Sequence, residues 1–333
     1  MNLKMAKKFM ENLNNNLKEI TNCQEWQSYL DKVERHHCFF SDAWEKQVEK
    51  YFSGWQFKHF IFLNNFLISV LVNKEGRAVT VQFSEVGNII ALDYRQELEI
   101  SDLKIVLASI FNSFKLTINA FYCSVKNTEE TKLLDYVLPL NKFNSFQELE
   151  LNYRKSTRQE IDNAQVLIKP CENVQELKQV YKLYLQNIRA KMNLVLPYGF
   201  FEYWFKNDET FLLSLLNNKI VGFSLYLENK NIIHYFLNAS SFVGKQNGAT
   251  HALLSSQIKN SFNQQKKYFE FGGTKKDSSL ETFKKGWGGE AYNIYSISNG
   301  ETNNSQPKGR YLWKFVPLWL LPSLSKILWK RFL

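Results

Sequence analysis

The chain has 333 residues, in which 42 Lys and Arg stand against 32 Asp and Glu, for a formal net charge of +10 at pH 7. That length favours two domains with sizeable cores, and the charge favours anionic partners such as phosphates, nucleic acid or an acidic membrane surface. Four scattered cysteines, Cys23, Cys38, Cys123 and Cys171, form no C-x-x-C pair and have no His at ligand spacing; the expectation is no metal, no disulfide and a reducing compartment.

The first stretch, "MNLKMAKKFMENLNNNLKEI", reads as an amphipathic helix. Glu11, Lys18 and several Asn interrupt it, so it lacks the apolar core of a signal peptide and the chain is expected to be cytoplasmic. No run of about 18 apolar residues is available to cross a bilayer. "FFSDAWEKQVEKYF" has helical spacing, with Ser41 or Asp42 placed to cap it. From Phe57 to Asp93 several extended segments are separated by Asn-Asn, Lys-Glu-Gly and Ser-Glu-Val-Gly turns. A helix, "ISDLKIVLASIFNSF", and a strand, "INAFYCSVK", end this mixed α/β half near Lys126.

The second half repeats the mixture. "STRQEIDNA" predicts a short helix and "VLIKP" a strand stopped by Pro170. "NVQELKQVYKLYLQNIRAK" predicts a long helix burying Val174, Leu177, Val180, Tyr181 and Tyr184. "FLLSLLNN" and "IVGFSLYLE" form a hairpin through Asn217 and Asn218, followed by a strand "IIHYFLNAS", a helix "GATHALLSSQIKNSF", and strands "KYFEFGG" and "AYNIYSIS". The expected division is a domain over 1–145, a second over 146–298, and a linker with a basic aromatic tail over 299–333.

That order of elements, together with the motifs of the second half, resembles the Fem-like (peptidoglycan bridge-forming) and related GNAT acyltransferases. In "YFEFGGTKKDSSLETFKKGWGGE", Phe269, Glu270, Phe271, Gly272, Phe283, Lys284, Trp287 and Gly288 match the family's acidic-Phe-Gly strand and following Phe-Lys-x-x-aromatic-Gly. Lys155, Arg158, Ile161 and Ala164 match an upstream Lys-x-x-Arg-x-x-Ile-x-x-Ala, and "IRAKMNLVLPYGFFEYWF" resembles the Arg, Pro and Phe stretch after the long helix. The resemblance implies an α/β fold of mixed, α+β type: tandem GNAT-like domains, each a mostly antiparallel sheet flanked by helices, with the active site mostly in the second. The chain departs from the family in having Glu270 for the usual Asp and Asp162 for a usual basic residue. It also lacks the heptads of the coiled-coil arm that many aminoacyl-tRNA-dependent members carry.

Alternation puts Tyr268, Glu270 and Gly272 on one face of their strand and Phe269 and Phe271 on the other. The glycine pair Gly272 and Gly273 marks either a tight turn or, as the resemblance implies, a slot for an acyl donor. If "SLETFKKGW" is one helix, Leu280, Phe283 and Trp287 form its buried face, Lys284 lies at the margin and Lys285 points away. By its place in the motif, Lys284 is expected to stabilise a developing oxyanion. Glu270 and Tyr235 are the other expected catalytic groups, while His234 reads as a structural residue. Lys245 and Gly248 precede a helix whose N-terminus suits a diphosphate. Arg154 and Arg158 share a helix face, and with Arg189 they are the expected substrate-binding cations.

The expected activity is N-acyl transfer from acyl-CoA to a primary amine on a cell-envelope precursor, such as an amino sugar or peptidoglycan stem peptide. Aminoacyl-tRNA is the alternative donor, and a non-catalytic binding role in envelope assembly is the alternative class. From Lys308 onward every charged side chain is basic, and Trp313, Trp319 and Trp329 lie among Leu and Ile. Residues 308–333 therefore either touch an anionic membrane peripherally or pack their aromatics on the second domain.

Overall fold

A computed structural model describes residues 16–80, 87–126, 131–191, 193, 195–207, 209–299 and 310–332. The helix expected at the extreme N-terminus lies outside them. In chain order the elements are β1 (Leu17–Ile20), α1 (Cys23–Leu30), α2 (Asp42–Tyr51), β2 (Trp55–Phe62), β3 (Phe66–Asn73), β4 (Arg77–Val79), β5 (Ile89–Ala91), β6 (Leu98–Glu99), α3 (Ile100–Ile110), β7 (Ser113–Asn119) and β8 (Val125–Lys126). There follow β9 (Leu133–Pro139), α4 (Phe146–Asn152), α5 (Lys155–Asp162), β10 (Leu167–Pro170), α6 (Val174–Lys191), α7 (Tyr198–Lys206), β11 (Thr210–Leu216), β12 (Lys219–Glu228) and β13 (Ile232–Ser240). The last elements are α8 (Phe242–Gln246), α9 (Ala249–Asn263), β14 (Tyr268–Lys275), α10 (Ser279–Lys285), β15 (Glu290–Ser298) and α11 (Leu321–Phe332).

The chain divides into two units, the first comprising 1–136, 273–281 and 291–303 and the second 137–272, 282–290 and 304–333. In the first, β1 to β4 pair antiparallel in succession, β4 pairs β7 in parallel, and β15 lies antiparallel on β7. Ser41 caps α2 as expected, its hydroxyl accepting from Trp44 N at 3.3 Å. The core forms where α3 sends Leu103, Val106 and Leu107 among Phe60, Phe62, Ile68, Val70, Phe114 and Leu116. Each such buried side chain is worth about 1.5–3 kcal/mol. All four cysteines are free thiols.

In the second unit β10, β11, β12 and β13 form an antiparallel run, and β13 pairs β14 in parallel. The predicted hairpin is present: Asn217 and Asn218 take φ of 49° and 61°, the left-handed pair that a two-residue turn requires. Helix α9 covers one face, its Leu253, Leu254 and Ile258 buried and Leu253 O accepting from Tyr226 Oη at 3.1 Å. Gly222 leaves room for the hydroxyls of the two neighbouring strands, since a Cβ there would meet Ser214 Oγ at 2.6 Å and Ser240 Oγ at 2.9 Å. On the other face Phe201 packs on Phe211 and Phe223, and Trp204 packs edge-on to Phe236.

Helix α6 buries Leu177, Val180 and Tyr184 as its spacing predicts, and Tyr181 donates to Leu196 O at 3.1 Å. Val174 is exposed instead, because it opens the first turn, where no described residue covers it. The tail is docked: Leu321 and Ser325 are buried, Val195 N donates to Ser325 Oγ at 3.0 Å, and Arg189 Nη1 donates to Val316 O at 3.5 Å.

At the foot of β11, Glu209 accepts from Glu228 N at 2.9 Å. Burial, with the charge of Glu228 adding to it, pushes the Glu209 carboxyl up to about 7. The folded state then holds this proton more tightly than the unfolded chain, so the carboxyl costs stability as pH rises from the ordinary carboxylate range through 7. Glu209→Gln is expected to raise Tm at pH 8 and to change it little near pH 4.5. Calorimetry at the two pH values checks this.

Candidate active site

Strands β13 and β14 pair only at Ile232↔Tyr268, Ile233↔Phe269 and His234↔Glu270. Beyond that vertex β13 runs on to Ser240 with β12 along one edge only, and its pairing with β12 shifts register at Leu225/Tyr226, leaving Phe236 as the extra residue. Tyr235, Phe236, Leu237 and Asn238 are only half-buried, although they lie mid-strand. The parting strands thus leave a wedge whose β13 wall offers backbone to an extended chain.

At the vertex, His234 Nδ1 lies 2.9 Å from Glu270 Oε2, and both residues are buried. The parallel register puts the two side chains side by side on one face, and the carboxylate fixes the ring's orientation and tautomer. This is a general-base arrangement. The sequence singles out Glu270, which the structure places in this pair, but it suggests a structural role for His234 and favours Tyr235. The structure places Tyr235 differently: its ring packs against Tyr226, its hydroxyl is buried, and burial raises its pKa well above the usual phenol range. A phenol held protonated is no base. What brings His234 to Glu270 is the one-to-one register of two neighbouring strands.

Two residues past Glu270, Gly272 takes φ of 75°, a conformation that side chains strain to adopt. Its carbonyl accepts from Lys284 Nζ at 2.6 Å. Lys284 is 3% exposed, not marginal as the helical wheel predicts, whereas Leu280, expected inside, is exposed. The reason is that α10 has only seven residues and turns Lys284 toward β14, while Trp287, beyond its end, fills the core against Phe271, Tyr153 and His251. Lys285 is exposed, as expected. Gly273 follows Gly272 in the same strand.

At the open end of the wedge the chain turns through α8 into α9. Gly248, the residue before α9, has φ of 71° and no side-chain cap, so no side chain of the capping residue satisfies the first amides of this 15-residue helix. A Cβ at Gly248 would lie 2.9 Å from Ala164 Cβ, so this glycine also lets the end of α5 approach. Lys245, exposed on α8, stands close enough to Lys191 at the end of α6 to help lower its pKa, after desolvation, the larger cause. Two like charges held together favour binding of a multivalent anion. Lys191 is not legible in the sequence as part of this group, because nothing in its own segment links it to Lys245.

Each of the three expected substrate arginines donates to protein acceptors near it or in the tail. Arg158 Nη1 donates to Leu151 O at 2.8 Å and to Tyr153 O at 3.0 Å, which closes the C-terminus of α4. Arg154 Nε donates to Ser156 Oγ at 2.7 Å and its backbone N to Gly286 O at 2.8 Å. Arg189 holds the tail.

No family model and no curated protein sequence matches the chain. Among solved structures it is similar to FemX, with 11% identity and a TM-score of 0.55 over 84% of this chain and 96% of that one. It is also similar to a conserved protein of unknown function from Bacteroides thetaiotaomicron VPI-5482, with 12% identity and a TM-score of 0.50 over 85% of this chain and 98% of the other. The mixed α/β class, the wedge between parallel β13 and β14, and these likenesses agree: the chain has a FemX-like fold.

Proposed function

We propose that the chain is an N-acyltransferase that moves an acyl group from acyl-CoA to a primary amine on a cell-envelope precursor, an amino sugar or peptidoglycan stem peptide. The observation that carries this reading is the His234–Glu270 pair at the closed end of the β13/β14 wedge. The thioester arm lies along the diverging edge of β13, its amides paired with the strand. His234 takes the proton from the acceptor's amine as nitrogen attacks the carbonyl carbon. The C–N bond forms, the C–S bond breaks, and the departing thiolate recovers a proton. Glu270 holds the ring and offsets the imidazolium charge.

Lys284 positions Gly272 and so shapes the β14 wall of the wedge. The amides opening α9, with Lys245 and Lys191, suit a diphosphate, which favours CoA over aminoacyl-tRNA as donor. The four free thiols support a cytoplasmic setting. The envelope acceptor rests on the Fem-like motif around Glu270 and Lys284.

Mass spectrometry of the purified chain is expected to find a co-purifying CoA species, and calorimetry to measure CoA binding that is lost in Lys245→Glu. Acyl transfer to one of a panel of amino sugars and stem peptides completes the test. Binding of neither CoA nor its thioesters, with transfer only from charged tRNA, would replace the donor. Donor binding without transfer to any amine would favour the non-catalytic role.

A further inference from the structure

Near the mouth of the wedge the second unit exposes large apolar side chains that none of the described residues covers. On α8, Phe242 is 75% exposed and Val243 is also exposed; in the docked tail, Phe315 is 81% and Trp319 75% exposed, and Ile327 is exposed on α11. Both groups flank one element, the C-terminal end of α6: Arg189 binds Val316 O, and Lys191 feels the charge of Lys245 on α8. Helix α11 explains the two-sidedness. Leu321 and Ser325 face inward, whereas Ser323, Lys326 and Ile327, on the opposite arc, face outward.

The exposed apolar groups are set among cations. Lys191, Lys245, Lys314 and Lys326 are all exposed, and neither residues 241–250 nor residues 302–333 contain an Asp or Glu. No helix among the described residues is long and apolar enough to cross a membrane. Aromatic and aliphatic tips surrounded by lysines, held on short elements of a folded unit, match an anionic bilayer: the tips enter the acyl boundary and the ammonium groups meet the headgroups. A soluble protein partner of mixed charge would leave these cations poorly matched.

We infer that this face, built from α8, the 3₁₀ turn Arg310–Phe315 and α11, docks the protein on an anionic membrane. The tail is thus both core and interface: its inner arc packs and its outer arc binds lipid. Because α8 leads from the end of β13 into α9, docking puts the mouth of the wedge at the lipid surface.

The test is co-sedimentation of the full chain with vesicles of phosphatidylcholine containing about one third phosphatidylglycerol, against pure phosphatidylcholine. Binding to the anionic vesicles at low salt is expected, weakening as salt rises. The double variant Phe315→Glu/Trp319→Glu, and Phe242→Glu alone, should each lower the partition coefficient by roughly tenfold or more. Leu167→Glu, an exposed apolar site on β10, should not. Circular dichroism and Tm should stay at wild-type values in all of them, since these side chains touch no core.

Vesicle binding is read without turnover, so its outcome is separate from that of the donor and acceptor assays. If the intact chain ignores anionic vesicles at low salt, or if the Phe and Trp variants bind as well as wild type, the face is not a membrane surface. The membrane role is equally overturned if sedimentation velocity shows a dimer that Trp319→Glu dissociates while vesicle binding is absent, for then a second copy covers the face.

Discussion

His234→Gln is expected to lower kcat by roughly two to four orders of magnitude while leaving CoA binding and fold in place. On the acyltransferase reading the ring, at the vertex of the wedge, takes the amine proton, and Glu270 lies 2.9 Å from it. Glutamine fills much of the same volume, so the loss reads chemistry more than packing. Glu270→Gln removes the carboxylate that orients and offsets the imidazolium and should cost less. The double variant should be little worse than His234→Gln alone, because the two act as one unit. Tyr235→Phe should stay within a few-fold of wild type. A His234→Gln enzyme with near-normal kcat, or a Tyr235→Phe enzyme with almost none, would move the base elsewhere.

What the sequence makes legible follows from how local each signal is. The cap at Ser41, the Asn217-Asn218 hairpin and the buried face of α6 are encoded within a few residues by turn chemistry and helical period, and the structure has all three. The strand "YFEFGG" can be assigned its two faces for the same reason. The His234–Glu270 pair cannot be read this way, because 36 residues separate its members and only the parallel register of β13 on β14 joins them. Lys191 and Lys245 pose the same difficulty across α6 and α8. The arginine pair adds a use that charge spacing does not show: Arg154 and Arg158 lie four residues apart, and their guanidiniums donate to Ser156 Oγ and to Leu151 O. The tail offers two readings that composition does not separate, because both depend on how an amphipathic helix is rotated on its support.

The second large effect is expected at Lys284. An amphipathic reading of "SLETFKKGW" makes Lys284 a rim residue whose loss would spare stability, but its ammonium is buried and donates to Gly272 O at 2.6 Å. Lys284→Met keeps most of the aliphatic stem and deletes the donor, stranding a buried carbonyl that the positive φ of Gly272 holds in place. Loss of a hydrogen bond from a charged donor costs about 1.5–3 kcal/mol, and the stranded acceptor adds to it. Thermal unfolding should therefore fall by several degrees in Lys284→Met, whereas Lys285→Ala, on the exposed side of the same helix, should stay within about 0.5 kcal/mol of wild type. Donor binding separates a structural from a shaping role. If Lys284 sets the β14 wall of the wedge, calorimetry below the new Tm should show weakened CoA binding in the folded Lys284→Met protein as well as slower transfer. Unchanged affinity and turnover in a merely less stable protein would confine Lys284 to the core, and equal, small effects at both lysines would remove it from the site altogether.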